Sequence, residues 1–277
     1  MNALEIRNLC KAYPGFQLDH LNLTLPQGCI LGLIGENGAG KSTTIKLILD
    51  LIRSDSGSIT VLGQAHTKLN REDIGVVLDE VGIPECLTAT QVGKVMRSTF
   101  RRWDAARFSS LLQELSLPEN KPFKEFSRGM KMKLGIAVAM SHGAKLLILD
   151  EATSGLDPVV RDEVVTMLSE FTRQENHAIL ISSHIVSDLE KLCDYIAFLH
   201  KGRLMLLEEK DVLLGRYGIL YCTHEQLPLL RPDAVLHRKE NPYGAEVLIL
   251  REAVPADWKV SPVSIEELFV FMVKEAK

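Results

Sequence analysis

The sequence predicts an α/β protein built on a mainly parallel β-sheet with helices on both faces. Short apolar segments alternate with helix-like segments along most of the chain, which is the order that parallel strands joined by crossover helices require. The segments at 29–34, 145–149 and 178–182 are almost continuously apolar, as strands buried on both faces are. A glycine-rich segment separates the first of them from the next predicted helix.

The boundaries of most elements follow from hydrophobic periodicity. Residues 18–25 alternate apolar and polar side chains, as a half-buried strand does. Asp157 is placed to cap a helix that has Pro158 in its first turn. In chain order, the predicted elements are strands at 4–9, 18–25 and 29–34, a helix at 41–51, a strand at 59–62, helices at about 88–115 and at 131–140, a strand at 145–149, a helix at 158–171, a strand at 178–182 and a helix at 186–193.

The pattern changes after about Arg216, where the segments become shorter. We therefore predict a large domain spanning 1–216 and a small α+β appendage spanning 217–277. The elements predicted in the appendage are strands at 218–222, 234–237 and 246–250, a turn at 241–244 and a closing helix at 264–274.

Composition narrows the class of protein. The formal net charge of −4 for 277 residues provides no basic surface field, so we expect no nucleic-acid partner. The five cysteines are scattered and odd in number, which favours free thiols in a reducing compartment. No signal peptide is expected at the N-terminus, and no segment reaches the ~20 apolar residues of a membrane-spanning helix. If the protein acts at a membrane, another chain must supply the spanning helices.

Residues 35–42 (GENGAGKS) match the phosphate-loop pattern G-x-x-x-x-G-K-[S/T] between a predicted strand and a predicted helix. Backbone N–H groups of such a loop surround phosphate oxygens, and the helix N-terminus adds partial positive charge. Lys41 is expected to reach the β- and γ-phosphates of ATP, and the hydroxyl of Ser42 to bind Mg²⁺. The candidate nucleotide contacts in this segment are Asn37, Gly38, Ala39, Gly40, Lys41, Ser42 and Thr43.

Two carboxylates follow the apolar strand at 145–149. Asp150 stands where phosphate-loop enzymes place the Asp that binds Mg²⁺, directly or through water. Glu151 then lies at the carboxyl edge of the sheet, where it can polarise the water that attacks the γ-phosphate. The alternative is a pair of solvated carboxylates at the end of a strand.

Four further segments, in this order and spacing, resemble the ATP-binding cassette (ABC) family over roughly residues 1–210. Residues 127–130 (SRGM) stand where the signature Leu-Ser-Gly-Gly-Gln is expected, and residues 154–157 (SGLD) are similar to the D-loop. His184 resembles the switch histidine that contacts the γ-phosphate, and Tyr13 the aromatic residue that stacks on adenine. The residues that the resemblance adds to the nucleotide contacts are Tyr13, Ser127, Gly129 and Asp157.

The sequence departs from the family pattern at two sites. In the signature, Arg128 replaces a glycine and Met130 replaces the glutamine, a variant that resembles exporters of the ABC-2 group, including bacitracin and other peptide-antibiotic-resistance transporters. In the Q-loop, Asp79 and Glu80 occur where the family has glutamine. Asp79 is either a further ligand of Mg²⁺ or its water, or a solvated carboxylate.

The resemblance implies a cassette fold with an N-terminal antiparallel β subdomain and a helical subdomain at about 81–126. It implies an ATPase subunit of a membrane transporter, with an exporter favoured, in which Glu151, His184 and Lys41 are catalytic. ATP and Mg²⁺ would be its cofactors. A permease subunit and a second cassette, identical or related, would be its partners on the inner face of the cell membrane.

Three other functions remain open from the residues. One is a soluble ABC-type ATPase in translation or DNA maintenance, although such relatives usually carry two cassettes or a long coiled-coil insertion. Another is a phosphate-loop enzyme of a different kind, such as a small-molecule kinase. The third is a cassette that binds ATP without hydrolysing it, against which Glu151 and His184 argue.

Overall fold

Three β-sheets and eight α-helices form the described part of the chain, which comprises residues 1–154, 156–255 and 258–275 of this computed structural model. The central sheet has six strands, and two four-stranded antiparallel sheets lie before and after it in the chain. The predicted α/β architecture is therefore confirmed, and the central sheet positions most of the candidate site residues.

The central sheet is parallel except at one edge. Its strands are β3 (Ile30–Ile34), β6 (Ile74–Val77), β7 (Leu146–Asp150), β8 (Ala178–Ser183), β9 (Tyr195–His200) and β10 (Arg203–Glu209). They follow the order β10-β9-β3-β8-β7-β6, and only the β9–β10 pair is antiparallel. Strands β3, β7 and β8 are buried along their whole length, as their apolar sequences predicted.

The N-terminal sheet confirms the predicted antiparallel β subdomain. Its strands, in the order β2-β1-β4-β5, are β1 (Asn2–Tyr13), β2 (Phe16–Pro26), β4 (Ser56–Val61) and β5 (Gln64–Ala65). Alternate residues such as Leu4 and Ile6 are buried and join Leu31 and Leu33 of the central sheet in one apolar cluster. This sheet therefore packs on one face of the central sheet by its apolar side.

The helices complete the two layers around the central sheet. They are α1 (Lys41–Ile48), α2 (Ala89–Thr99), α3 (Ala105–Glu114), α4 (Arg128–Met140), α5 (Pro158–Phe171), α6 (Val186–Leu192), α7 (Lys210–Arg216) and α8 (Ile265–Glu275). Of the helices in the described ranges, none combines the length and the apolar character that crossing a membrane requires.

Two helix predictions were wrong in extent. The helix predicted at 41–51 ends at Ile48, because Asp50 is left-handed (φ 55°) and the Leu51 N–H returns to the Lys46 carbonyl at 2.9 Å. The single helix predicted at about 88–115 is two helices. Asp104 is extended and its side chain accepts a hydrogen bond from the Arg107 N–H, so it caps a new helix, α3, after a break.

The signature and D-loop segments lead into helices α4 and α5. Helix α4 begins at Arg128, three residues before its predicted start, because Ser127 is its N-cap and accepts a hydrogen bond from the Met130 N–H at 3.2 Å. Helix α5 has the predicted bounds, and Asp157 caps it by accepting hydrogen bonds from the N–H groups of Val159 and Val160. Both N-caps thus satisfy backbone N–H groups that the first helical turn leaves without a partner.

The C-terminal part is α+β, as predicted. Its sheet, ordered β12-β13-β11-β14, contains β11 (Tyr217–Cys222), β12 (Val235–Asn241), β13 (Gly244–Leu250) and β14 (Val260–Ser261). Helix α8 packs back on the central sheet, since the ring centroids of Phe269 and Phe198 of β9 lie 5.2 Å apart. The domain boundary at 216/217 stays a prediction, although the third sheet begins at Tyr217.

Candidate nucleotide-binding site

The glycine-rich loop follows β3 and leads into α1, in the position predicted for it. Gly40 is left-handed (φ 113°), and a Cβ atom there would lie 2.9 Å from Cζ of Phe16. A side chain at this position would strain both the backbone and its packing. Beside the loop lies a cavity of about 570 Å³. The cavity is lined by Gly15, Phe16, Glu36, Asn37, Gly38, Gly40, Lys41, Ser42, Thr43, Asp79, Asp150 and Glu151.

The ammonium group of Lys41 lies within the loop. Its Nζ donates hydrogen bonds to the carbonyl oxygens of Gly35 at 2.7 Å and Glu36 at 3.4 Å, and it lies 3.3 Å from Oε1 of Glu151. The Lys41 side chain is buried, so the loop carbonyls and a carboxylate satisfy its charge. Phosphate oxygens entering the cavity would meet this ammonium at the cavity wall.

Asp150 lies at the end of β7, buried and held by one hydroxyl. The Oγ of Ser182, on the neighbouring strand β8, donates a hydrogen bond of 2.5 Å to Oδ1 of Asp150. Asp150 and Ser42 line the same cavity. Hydroxyl and carboxylate oxygens are hard ligands of the kind that Mg²⁺ takes in proteins, so this donor set fits the metal ion that the fold implies.

Glu151 has an unusual backbone that directs its carboxylate between two other site residues. Its φ is 55°, and its N–H donates to both the carbonyl and the Oγ of Ser182, at 3.1 and 3.2 Å. The Glu151 Oε2 lies 2.7 Å from Nδ1 of His184, and Oε1 faces Lys41. A left-handed non-glycine residue costs about 1–3 kcal/mol, and such strain clusters at functional sites, although six other non-glycine residues of the described chain share this conformation. The three predicted catalytic residues are therefore brought together, while their catalytic roles stay predictions.

An aromatic residue that the sequence did not single out, Phe16, lies beside the loop. Tyr13 is exposed, with Nζ of Lys11 5.4 Å from its ring centroid. Within the described ranges, Phe16 and Gly15 line the cavity and Tyr13 lies outside its lining. The role of Tyr13 in stacking on adenine stays a prediction. Phe16 was missed, although its position two residues after the turn at Pro14 was a signal that could have found it.

The signature and D-loop residues lie away from this cavity. Ser127 and Gly129 are at the start of α4, and Asp157 is at the start of α5. None of the three belongs to the cavity lining found among the described residues. Gly155 of the predicted D-loop lies outside those residues. The resemblance assigns this group to a nucleotide held by a second chain, and that assignment stays a prediction.

Asp79 lies between the cavity and the start of α4. It lines the cavity together with Asp150 and Glu151, but its Oδ1 pairs with Nη2 of Arg128 at 2.7 Å. Both side chains of the pair are a little over half exposed, at 55% and 54%. The sequence suggested a metal ligand or a solvated carboxylate for Asp79 and did not foresee this ion pair.

A second cluster of potential metal ligands lies on the N-terminal sheet. The ligand atoms of Cys10, Asp19 and His20 are all within 4.8 Å of one another. However, Nη2 of Arg203 lies 2.9 Å from Oδ2 of Asp19, and Nδ1 of His20 lies 2.7 Å from Oδ1. These contacts lower the pKa of Asp19, with the His20 hydrogen bond as the largest cause. The carboxylate is thus already neutralised by a cation, so we assign this cluster a surface ion-pair role.

The chain is similar to transport proteins in both sequence and fold. A family model described as "ABC transporter" matches residues 18–154. Lantibiotic transport ATP-binding protein SrtF of Streptococcus pyogenes is 38% identical over 211 residues, which cover 75% of this chain and 91% of SrtF. Bacitracin transport ATP-binding protein BcrA of Bacillus licheniformis is 37% identical over 208 residues, which cover 73% of this chain and 68% of BcrA. A solved structure of an ATP-binding subunit of an ABC transporter matches with a TM-score of 0.70 at 29% identity, covering 76% of this chain and 91% of that chain.

The hydrogen bond from Ser182 to Asp150 can be tested by stability. Ser182→Ala should lower the free energy of unfolding by about 1.5–3 kcal/mol, because it removes a hydrogen bond to a buried charged group. Ser183→Ala is the matched control, because Ser183 is equally buried and accepts a hydrogen bond only from the neutral Ile185 N–H. This substitution should lower the free energy of unfolding by about 0.5–1.5 kcal/mol. Urea unfolding at pH 7 measures both, and a larger loss for Ser183→Ala would contradict the assignment.

Proposed function

The chain belongs to the ABC transporter family as an ATP-binding and ATP-hydrolysing subunit, and we propose that it drives the export of a peptide antibiotic. The predicted cassette fold is confirmed by the solved relative. The names of SrtF and BcrA, which refer to lantibiotic and bacitracin transport, support a cargo of this class. The observation that carries the mechanism is the convergence of Lys41, Glu151 and His184 beside one glycine-lined cavity.

ATP binds with its phosphates along the glycine-rich loop in this proposal. The N–H groups of residues 37–43 surround the phosphate oxygens, and the positive end of α1 faces them. When ATP binds, the ammonium group of Lys41 replaces its hydrogen bonds to the loop carbonyls with hydrogen bonds to the β- and γ-phosphates. Adenine lies towards the N-terminal sheet, where Tyr13 and Phe16 are the available aromatic side chains.

Ser42 and Asp150 would hold Mg²⁺. When bound there, the ion would neutralise charge that develops on the phosphate oxygens. Ser182 keeps the Asp150 carboxylate oriented through its hydroxyl. Asp79 shares the cavity, but its carboxylate is engaged by Arg128.

Glu151 positions and polarises the water that attacks the γ-phosphate. Its carboxylate is fixed from two sides by Lys41 and His184, which pre-organises it for proton transfer from water. His184 is nearly half exposed, at 48%, so its Nε2 edge can face the γ-phosphate while Nδ1 stays on Glu151. This arrangement supports hydrolysis rather than binding alone.

A second cassette completes each nucleotide site. Ser127 and Gly129 at the start of α4, with Asp157 at the D-loop, would cover the γ-phosphate held by the opposite chain. Two chains therefore enclose two ATP molecules head to tail, and hydrolysis reopens them. The second chain is either an identical copy or a related cassette.

A permease subunit supplies the membrane-spanning part, and the cassette acts on the inner face of the cell membrane. The helical subdomain at about 81–126, which contains α2 and α3, would receive the motion-coupling helices of the permease. The appendage at 217–277 has no proposed role in transport. A soluble ATPase of translation or DNA maintenance is not favoured, because the named relatives are transport proteins.

Substitution of the loop lysine tests ATP binding. Lys41→Ala should abolish hydrolysis and weaken ATP binding by at least about tenfold, because it removes hydrogen bonds to charged phosphates worth about 1.5–3 kcal/mol each. Equilibrium titration with ATP and a phosphate-release assay measure the two effects. The control is Lys46→Ala, on the exposed side of the same helix. Hydrolysis at the wild-type rate by the Lys41 variant would show that the loop is assigned wrongly.

Substitution of Glu151 tests its role in water activation. Glu151→Gln should retain ATP binding and slow turnover by at least ~100-fold, because the amide cannot accept the proton of the water. ATP should then hold two copies together, which size-exclusion chromatography detects. Glu175→Gln, at an exposed position, is the control. Normal turnover by the Glu151 variant would remove this residue from the mechanism.

Purification from native membranes tests the transport role. The tagged chain, extracted in mild detergent, should carry an integral membrane subunit in stoichiometric amount, identified by mass spectrometry. A tagged cytosolic protein of similar size is the control. Recovery with ribosomes or DNA and without a membrane subunit would favour the soluble ATPase instead.

A further inference from the structure

The two departures from the family pattern contact each other. Asp79 stands at the Q-loop position and Arg128 at the first glycine of the signature, 49 residues apart in the chain. Their side chains form an ion pair of 2.7 Å. Relative to the family pattern, Asp79 replaces an amide with a carboxylate, and Arg128 replaces a hydrogen atom with a guanidinium. The two added charges are opposite in sign and lie side by side, so they compensate each other.

The backbone around Asp79 is held against α4. Val77 and Val81, two residues to either side of Asp79, both pack on Gly135, where a Cβ atom would lie 3.2 and 3.3 Å from their Cγ1 atoms. Gly135 therefore permits a close approach between the end of β6 and the middle of α4. Because this approach fixes the position of Asp79, its carboxylate reaches the first turn of the same helix, where Arg128 lies.

The first turn of α4 carries basic side chains and no acidic side chain of its own, although the N-terminal end of a helix favours one. Instead, Arg128 and Lys131 place positive charges at the positive end of the helix dipole, an unfavourable combination. Lys131 lies over the Phe123 ring, 5.1 Å from its centroid. Asp79 is the carboxylate that pairs with Arg128 there.

We propose that Asp79 is a positioning residue for the signature turn (residues 127–130) and is not a ligand of the metal ion. Its carboxylate orients Arg128 and offsets the positive charge at the start of α4. In the proposed function, the signature turn contacts the nucleotide held by the opposite chain. The ion pair between Asp79 and Arg128 therefore connects the nucleotide cavity of one chain to the start of α4 that faces the opposite chain. The inference rests on that proposed function for its catalytic consequence, but not for the ion pair itself.

The catalytic test uses Asp79→Ala, Arg128→Ala and the double variant in the full chain. Each single change should lower kcat about fivefold, the effect that an exposed ion pair supports, and the double variant should be no slower than the slower single variant. KM for ATP and the Mg²⁺ concentration at half-maximal rate should change less than twofold. Raising the salt concentration to about 1 M, where the Debye length is only about 3 Å, should bring the kcat of the wild type close to the kcat of the variants.

Two further measurements do not depend on turnover. In the Glu151→Gln background, Asp79→Ala and Arg128→Ala should each weaken the ATP-driven dimer by about the same factor. A double-mutant cycle on urea unfolding should show a coupling of about threefold in the folding equilibrium constant. Arg238→Ala, which breaks an ion pair of comparable exposure with Glu240 on β12, is the control and should leave kcat unchanged.

These measurements distinguish a failure of the inference about Asp79 from a failure of the proposed ATPase function. A tenfold rise in the Mg²⁺ requirement of Asp79→Ala alone would make Asp79 a metal ligand and overturn the inference. Independent, multiplying effects of the two changes would overturn it as well, as would wild-type values for both. If the unfolding cycle shows coupling but the wild type does not hydrolyse ATP, the proposed function and the catalytic consequence are both overturned. The ion pair between Asp79 and Arg128 would still stand. Wild-type hydrolysis with no coupling would reject the inference alone.

Discussion

The hydroxyl of Ser182 links the ends of β7 and β8 and places both acidic residues of the site. It donates to the carboxylate of Asp150 and accepts from the N–H of Glu151. Because the two strands run parallel, with Asp150 opposite Ser182 in the register, their carboxyl ends meet at one edge of the sheet. Glu151 is left-handed at this point, and its carboxylate lies between Lys41 and His184.

The rest of the site depends on the same edge. The glycine loop leaves β3 next to β8 in the sheet, and His184 follows directly after β8. The ends of three neighbouring strands thus bring together the glycine loop, the Asp150 carboxylate and the Glu151 carboxylate beside one cavity. Electrostatic preorganisation of this kind supplies much of the rate enhancement in phosphoryl transfer.

The start of α4 shows how a departure from a family pattern can be compensated elsewhere. A guanidinium at the positive end of a helix is unfavourable by itself, and sequence inspection of α4 alone would count Arg128 as a defect. The compensating carboxylate is distant in the chain and adjacent in space, since Gly135 lets β6 approach the helix closely. Charge pairing of this kind is invisible to any local pattern.

Local chemistry was enough to predict the α/β class, the phosphate loop, the buried strands, the α5 helix with its Asp157 cap, and the identity of Lys41, Asp150 and Glu151 as site candidates. Each of these rests on neighbouring residues: a glycine spacing, an apolar run, a capping side chain. The partner of Asp79 and the close packing of β6 on Gly135 of α4 depended instead on contacts between segments far apart in the chain. Packing and charge compensation act through space, so their outcome was fixed only when the sheets and helices came together.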